Sequence, residues 1–201
     1  MFVQVMEGRV ADPGPVHTAL DAWSRQLAPG AAGWLGSTAG VTEDGRFIAL
    51  ARFESEEAAR RNEHRPEQGQ WWEETSKLFS GDVKFRDCTD VIADVHGDPN
   101  SAGFLQVMKG RGTDPERAKE LMAENEDEWA EFRPDVVGSL TMGYDDGSYT
   151  MAMYFTSEQA AREGERKEPP PELKAQMEEM NKISMGEPEF LDLKDPWLYS
   201  P

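Results

Sequence analysis

Apolar side chains occupy four of the first five positions of residues 2–9, which predicts a first β-strand. Asp12 and Pro13 come next, and this pair is typical of the N-cap and the first position of a helix. Two further strand-like runs, 33–42 and 46–53, flank a short "EDG" turn and predict a hairpin. Between the first strand and this hairpin, apolar residues recur at helical spacing at Val16, Leu20, Trp23 and Leu27.

A second helix is predicted to begin after Ser55, a residue that favours the N-cap position. Pro66 interrupts this helix, because proline lacks an amide hydrogen and its ring collides with the preceding turn. The helical pattern then resumes through Phe79, and residues 83–91 predict a last strand. Strand, helix, strand, strand, helix, strand is the order of a ferredoxin-like domain.

The whole pattern occurs a second time, 102 residues further along the chain. "FVQVMEGRVADP" at 2–13 matches "FLQVMKGRGTDP" at 104–115, and about 20 of 64 aligned positions are identical. Near the end of each copy the offset becomes 105, where "GDVKFRD" aligns with "GEPEFLD". The segment between the copies, "HGDPNSAG", has the composition of a linker. We therefore predict two domains, 1–95 and 104–201, joined by residues 96–103.

The predicted fold is α+β, with two tandem ferredoxin-like (βαββαβ) domains. Each four-stranded antiparallel sheet carries helices on one face only, so its other face needs another cover. The first strand agrees with this, because apolar residues lie on both of its faces. We expect the two sheets to pack as an intramolecular α/β barrel, a monomeric pseudo-dimer, and leave further homodimerisation open.

At these residues the sequence resembles the dimeric α/β-barrel superfamily and, within it, antibiotic biosynthesis monooxygenase-type domains. The resemblance rests on the element order, on "FESEEAAR" repeated as "FTSEQAAR", and on the broken second helix with aromatic residues after the break. It implies a ligand pocket between each sheet and its two helices. The fold alone does not decide the chemistry, because the superfamily includes cofactor-free monooxygenases, haem-degrading enzymes, isomerases and binding proteins.

Charge and composition narrow the possible partners. The chain has 39 acidic and 21 basic residues and a formal net charge of -18, so its average field repels nucleic acid and anionic membranes. The sequence contains no apolar run near the length of a membrane span and no leader pattern, and we expect a cytoplasmic protein. Cys88 is the single cysteine, and no Cys/His cluster accompanies it. We therefore predict no metal site and no cofactor.

Several polar residues are candidates for chemistry. Gln4 and its counterpart Gln106 lie among apolar neighbours, where the resemblance implies an Asn in related enzymes. Such an amide either orients a carbonyl or phenol of a ligand, or bonds within the fold. Arg52 either binds an anion in an enclosed space or forms a salt bridge to a carboxylate such as Asp87, and its counterpart is Tyr154.

Aromatic residues are concentrated in the first copy, which favours that copy as the site of a small apolar or aromatic ligand. The alternative is that these tryptophans fill the core. Our candidate catalytic residues are Gln4, Arg52 and Trp72. The candidate binding residues are Trp34, His64, Trp71, Gln106 and Tyr154.

The favoured hypothesis is a cofactor-independent monooxygenase, or a related small enzyme, that acts on an aromatic or polyketide-like metabolite. The alternative is a non-catalytic small-molecule-binding or stress-response module. Haem binding is a weaker third option, because in related haem-degrading enzymes a His follows the Trp along the second helix. Here His64 precedes Trp71 and Trp72.

Overall fold

The computed structural model describes residues 1–201 and divides them into two compact units. The first unit comprises Met1–Val91 together with Leu193–Pro201, and the second comprises Ile92–Asp192. The second unit therefore begins before the predicted linker 96–103, and the end of the chain returns to the first unit.

The elements of the first copy follow the predicted order. They are β1 (Phe2–Arg9), α1 (Pro13–Gln26), β2 (Trp34–Val41), β3 (Arg46–Phe53), α2 (Glu56–Glu63), α3 (Pro66–Ser76) and β4 (Lys84–Cys88). The rest of the chain forms β5 (Asp90–Val95), β6 (Phe104–Arg111), α4 (Pro115–Ala123), α5 (Glu126–Phe132), β7 (Val136–Gly143), β8 (Ser148–Phe155), α6 (Glu158–Glu165), α7 (Pro171–Ile183), β9 (Glu189–Lys194) and β10 (Trp197–Tyr199).

Each unit contains one five-stranded sheet. The strand order is β10-β2-β3-β1-β4 in the first sheet and β5-β7-β8-β6-β9 in the second. The predicted α+β class and the two ferredoxin-like repeats are confirmed, but each sheet has one strand more than expected. The packing of the two sheets into one barrel stays a prediction. None of the helices combines the length and apolarity that a bilayer crossing requires.

Local capping explains where the helices begin. Asp12 accepts a hydrogen bond from the Gly14 amide at 3.0 Å, and Ser55 accepts one from the Ala58 amide at 3.2 Å. These bonds satisfy amide groups that lack a partner in the first turn of a helix, as predicted for both residues. The second copy uses the equivalent caps Asp114 and Ser157.

Three element boundaries differ from the sequence predictions. The predicted strand 83–91 is two strands, β4 and β5, which belong to different sheets. Pro66 does not lie in a break between two helical segments, because it is the first residue of a separate helix, α3. The first helix of the second copy breaks into α4 and α5 at Asn125, whose φ of 57° lies in the left-handed region.

Candidate functional site

Two neighbouring rows of side chains on one face of the first sheet form the floor of a cavity. Strand register defines the rows, because side chains of paired residues point to the same face. The first row is Tyr199, Ser37, Ala51, Gln4 and Asp87, and the second is Trp197, Ala39, Ala49, Met6 and Phe85.

The cavity lies between these rows and the helices α1 to α3 and has a volume of about 430 Å³. The centre of its floor is made of small residues, Ser37, Ala39, Ala49 and Ala51, which leave space above the sheet. Trp23 of α1 and two α3 residues, Trp71 and Trp72, also line it. A volume of this size is typical of sites for small organic molecules, which are mostly apolar with a few placed polar groups.

The tryptophan indoles differ in their hydrogen bonding. Trp23 Nε1 donates to Gln68 Oε1 at 2.6 Å, and Trp71 Nε1 donates to the Ala19 carbonyl at 3.1 Å. Trp72 packs edge-to-face against Phe85, with ring centroids 5.1 Å apart, and its indole N–H has no partner within the protein. Trp72 therefore gives the cavity wall an aromatic ring, and its indole N–H is a donor that no protein group uses.

A charged network closes the end of the cavity near β1 and β4. The Gln4 amide nitrogen donates to Glu63 Oε1 at 2.9 Å and to Asp87 Oδ1 at 3.1 Å. The Arg60 guanidinium also donates to both carboxylates, and its hydrogen bond to Asp87, then the one to Glu63, raises the pKa of Arg60. Both amide hydrogens of Gln4 are thus engaged, and its Oε1 remains to accept a hydrogen bond from a ligand.

The second unit repeats most of this network. Gln106 donates to Asp192 at 3.0 Å, and Arg162 donates to Asp192 and, at 2.9 Å, to Glu165. In both units the arginine also lies over the phenylalanine ring that begins the first strand, 5.7 Å from its centroid in the first unit and 5.1 Å in the second. This repetition indicates that the network stabilises the fold, whatever else it does in the first unit.

Two further amides give the cavity free N–H donors. Asn62 is only 6% exposed, and Arg65 donates to its Oδ1 at 2.9 Å. This bond fixes which end of the amide is oxygen, so that Asn62 Nδ2 is a donor without a protein partner. Gln68 is fixed in the same way, because its Oε1 accepts the bond from Trp23. Both residues line the cavity.

The opposite end of the cavity is closed by the end of the chain. Tyr199 of β10 lines the cavity, and its hydroxyl donates to Asp21 Oδ1 at 3.0 Å. Burial, and then the Asp21 carboxylate, raise the pKa of Tyr199, so this phenol stays neutral. Tyr199 and Gln4 lie three strands apart in the same row, a separation of about 14 Å at the usual strand spacing.

The corresponding face of the second sheet carries larger side chains. Met151 and Met153 occupy the register positions of Ala49 and Ala51. Gln176 of α7 is buried, accepts the indole N–H of Trp129 at 2.9 Å and donates to the carbonyls of Leu121 and Glu124. The second unit therefore carries larger side chains at the positions where the first unit has the small residues of the cavity floor.

Three of the predicted site residues, Gln4, Trp71 and Trp72, come together in the cavity. Trp34 does not line it; this residue is buried behind Trp23, with ring centroids 5.2 Å apart, and donates to Ser37 Oγ at 3.0 Å. Trp34 supports the wall from behind.

The remaining candidates lie elsewhere. Arg52 points to the face of β3 opposite the cavity, where it lies over Gly36, and it forms no salt bridge to Asp87 because that carboxylate lies on the cavity face, where it pairs with Arg60. His64 is exposed at the end of α2, with Nδ1 2.6 Å from the Arg60 carbonyl oxygen. Two candidates belong to the second unit: Gln106 in the network above, and Tyr154 on the other face of β8.

Sequence reasoning missed most of the polar residues around the cavity. Arg60 and Asp87 were visible as matches between the copies, with Arg162 and Asp192, but a repeated charge did not reveal its partners. Tyr199 gave no signal, because the sequence does not say where the tail docks. No cluster of three His, Cys, Asp or Glu side chains in the structure is arranged to hold a metal ion.

Comparison of the sequence with protein-family models and with curated proteins gives no match. Among solved structures, the chain is similar over 99% of its length to a candidate monooxygenase from Lactobacillus acidophilus, at 12% identity, 95% coverage of that chain and a TM-score of 0.74. A candidate monooxygenase from Fusobacterium nucleatum gives 12% identity, 99% and 94% coverage and a TM-score of 0.75. An anthrone oxidase-like protein gives 12% identity, 99% and 92% coverage and a TM-score of 0.65. The resemblance to the tandem, two-domain form of monooxygenase-type ferredoxin-like proteins is thus confirmed at the level of the fold.

Proposed function

We propose that the first unit binds a flat aromatic metabolite in its cavity and oxidises it with molecular oxygen, as a cofactor-independent monooxygenase. The observation that carries this proposal is the 430 Å³ cavity, lined by three tryptophans and a few polar groups of fixed orientation. The names of the proteins that share the fold, two candidate monooxygenases and one anthrone oxidase-like protein, agree with this class.

The hydrogen-bonding groups of the cavity indicate what the ligand carries. Asn62 Nδ2, Gln68 Nε2 and the Trp72 indole are donors without protein partners, so they suit carbonyl or phenolate oxygens. Gln4 Oε1 is an acceptor and suits a hydroxyl group. A phenol or anthrone with conjugated rings and a carbonyl presents both kinds of group, and tryptophan rings favour its flat faces.

Such a ligand needs little from the protein to react with oxygen. Loss of a proton from an anthrone methylene gives a carbanion that is conjugated to the carbonyl oxygen and reduces oxygen to a carbon-bound peroxide. Loss of water then leaves a second carbonyl, so the CH2 group and one O2 become C=O and H2O. The free N–H donors stabilise the negative charge as it develops on the ligand oxygen, and the aromatic walls restrict water.

Oxygen uptake with 1,8-dihydroxyanthrone tests the proposal. The Gln4→Leu variant should lose most of the activity, because it removes the acceptor in the cavity together with the bonds that position it. Gln106→Leu is the matched control, since it removes the same network residue from the second unit without touching the cavity. Equal activity of both variants and the wild-type protein would remove Gln4 from the mechanism.

A non-catalytic binding module is the second candidate. The observation in its favour is that Arg60 engages the Glu63 and Asp87 carboxylates, so this end of the cavity holds no unpaired base. This candidate predicts that the ligand raises the melting temperature and is recovered unaltered after incubation in air. Haem binding is not favoured, because no histidine is among the residues that line the cavity.

A further inference from the structure

The end of the chain brings a hydroxyl group to the cavity that neither copy of the repeat supplies. Strand β10 pairs with β2, and the register Tyr199 with Ser37 places Tyr199 in the same row as Ala51 and Gln4. Its hydroxyl donates to Asp21 Oδ1 at 3.0 Å. The phenol oxygen therefore keeps lone pairs with which it can accept a hydrogen from a ligand.

Asp21 connects this hydroxyl to solvent. Its side chain is 39% exposed on α1, between two basic residues of the same helix. His17 Nε2 lies 3.6 Å from Asp21 Oδ1, and Arg25 Nη1 lies 3.8 Å from Asp21 Oδ2. Tyr199 and Asp21 thus form a short path from the cavity to water, and these two basic groups face the carboxylate at its outer end.

Attachment of the tail does not depend on this pair alone. Trp197 stacks on His17 with ring centroids 4.3 Å apart and planes 2° from parallel, and β10 is hydrogen-bonded to β2. A hydroxyl that joins a half-buried phenol to a carboxylate adds to this attachment, and it also creates a route for a proton.

Comparison of the two copies separates this pair from the network around Gln4. The network recurs in the second unit, whereas the aligned position of Asp21 is Ala123, and that of His17 is Lys119. The Tyr199–Asp21 pair therefore has no counterpart at the aligned positions of the second unit, whereas in the first unit it lies beside the tryptophan-lined cavity. A group that the fold alone required would be expected in both copies.

We propose that Tyr199 and Asp21 form the proton outlet of the cavity, with Tyr199 as a catalytic residue and Asp21 as the residue that acts through it. The inference rests on the proposed function, because it takes an anthrone-type compound as the ligand. The methylene C–H bond breaks and leaves its electron pair on the ligand, while the proton bonds to the Tyr199 oxygen. The Tyr199 hydroxyl proton passes to Asp21 at the same time, and Asp21 then releases it to water. Nothing is oxidised or reduced in this step; oxygen reacts afterwards with the anion.

Hydrogen exchange without oxygen measures this step by itself. The full-length protein is mixed with 1,8-dihydroxyanthrone in anaerobic D2O, and deuterium entry at the methylene is followed by proton NMR. We expect the wild-type protein to accelerate exchange. Each of the variants Tyr199→Phe and Asp21→Asn should lower the protein-dependent exchange rate at least tenfold. The double variant should be no slower than the single ones, because both residues act in one path. Asp21→Glu should recover part of the rate.

Two measurements separate a proton path from a structural latch. Quenching of tryptophan fluorescence gives the Kd of the same probe, which should change less than threefold in Tyr199→Phe and Asp21→Asn. Thermal unfolding reports whether either variant is destabilised. Tyr149→Phe is the matched control, because it removes a half-buried tyrosine hydroxyl from the second unit, and it should exchange at the wild-type rate.

The outcomes distinguish this inference from the proposed function. Wild-type exchange rates in Tyr199→Phe and Asp21→Asn would overturn the outlet, as would a loss of rate that follows Kd or melting temperature alone. Oxygen uptake in air without protein-dependent exchange would keep the oxygenase and refute the outlet, because the ligand would then lose its proton without help from the protein. Exchange that depends on both residues, without oxygen uptake, would keep the outlet and refute the oxygenase.

Discussion

Filling the cavity with the side chains of the second unit gives the sharpest test of where the ligand binds. The double variant Ala49→Met and Ala51→Met places methionine where the register of the second sheet already has Met151 and Met153. Each substitution adds three heavy atoms, so the pair adds roughly 180 Å³ if each atom takes the ~30 Å³ of a water molecule. That is about two-fifths of the 430 Å³ cavity.

The expected result is weaker binding with an intact fold. A ligand that shares the cavity with two methionines meets an overpacked site, which costs about 1–3 kcal/mol, or roughly a 5- to 150-fold rise in Kd. Stability should be unchanged or higher, because the added groups enter open space and bury apolar surface. Titration of 1,8-dihydroxyanthrone by tryptophan fluorescence quenching measures Kd, and urea unfolding measures stability.

The reverse change in the second unit is the control. Met151→Ala with Met153→Ala removes the same atoms from the matching rows and should leave the Kd of the probe at the wild-type value. Wild-type affinity in the double methionine variant of the first unit would refute the reasoning. In that case the ligand binds outside the cavity, or the methionines turn away from it.

Three further outcomes follow from individual contacts. Arg60→Met and Arg162→Met should each lower the free energy of unfolding by about 1–2 kcal/mol, because both arginines join two carboxylates at part-exposed sites. Urea unfolding measures this change, and a loss of stability in one variant only would refute the structural role of the repeated network. The pKa of Tyr199 is raised in the folded protein, so the unfolded chain loses the phenol proton first as the pH rises above about 10. The stability of the wild-type protein should therefore fall more steeply above this pH than the stability of Tyr199→Phe. Urea unfolding between pH 9 and 11 measures the difference. Gly69 lies inside α3, and no atom lies within 4 Å of the position that an added Cβ would take. Gly69→Ala should therefore stabilise the protein by about 1 kcal/mol and raise its melting temperature. A lower melting temperature would contradict this expectation.

Local signals explain which elements the sequence predicted correctly. Asp12 and Ser55 cap helices through bonds to amides two or three residues away, so the sequence nearby contains the whole interaction. The short strand β10 has no such local determinant. Its three residues, Trp197–Tyr199, become a strand only because they meet β2, whose sequence is some 160 residues away. The pattern of apolar and polar residues therefore could not predict the fifth strand of the first sheet.

The sequence predicted only part of the candidate site, because the residues that create the cavity have no distinctive local pattern. Alternation along β3 places Arg52 on one face with Ile48 and Leu50, but the cavity lies on the other face, over Ala49 and Ala51. A search for large polar residues in the sequence does not find such a site, because the space is created by small side chains that carry no reactive group. The informative signal was the replacement of these two alanines by methionine in the second copy.

The two copies act as an internal control, because they share a fold and differ in the side chains at the floor positions of the first unit's cavity. Gln4 and Gln106 make the same contacts to an arginine-bound aspartate, so those contacts are what the fold requires of this glutamine. A role of Gln4 toward a ligand must therefore come from what surrounds it in the first unit only: the small floor residues, the tryptophans, and the Tyr199–Asp21 pair. Transferring one of these features to the second unit, for example by Met151→Ala and Met153→Ala, is expected to open space there without creating activity, because the donors and the proton outlet remain absent.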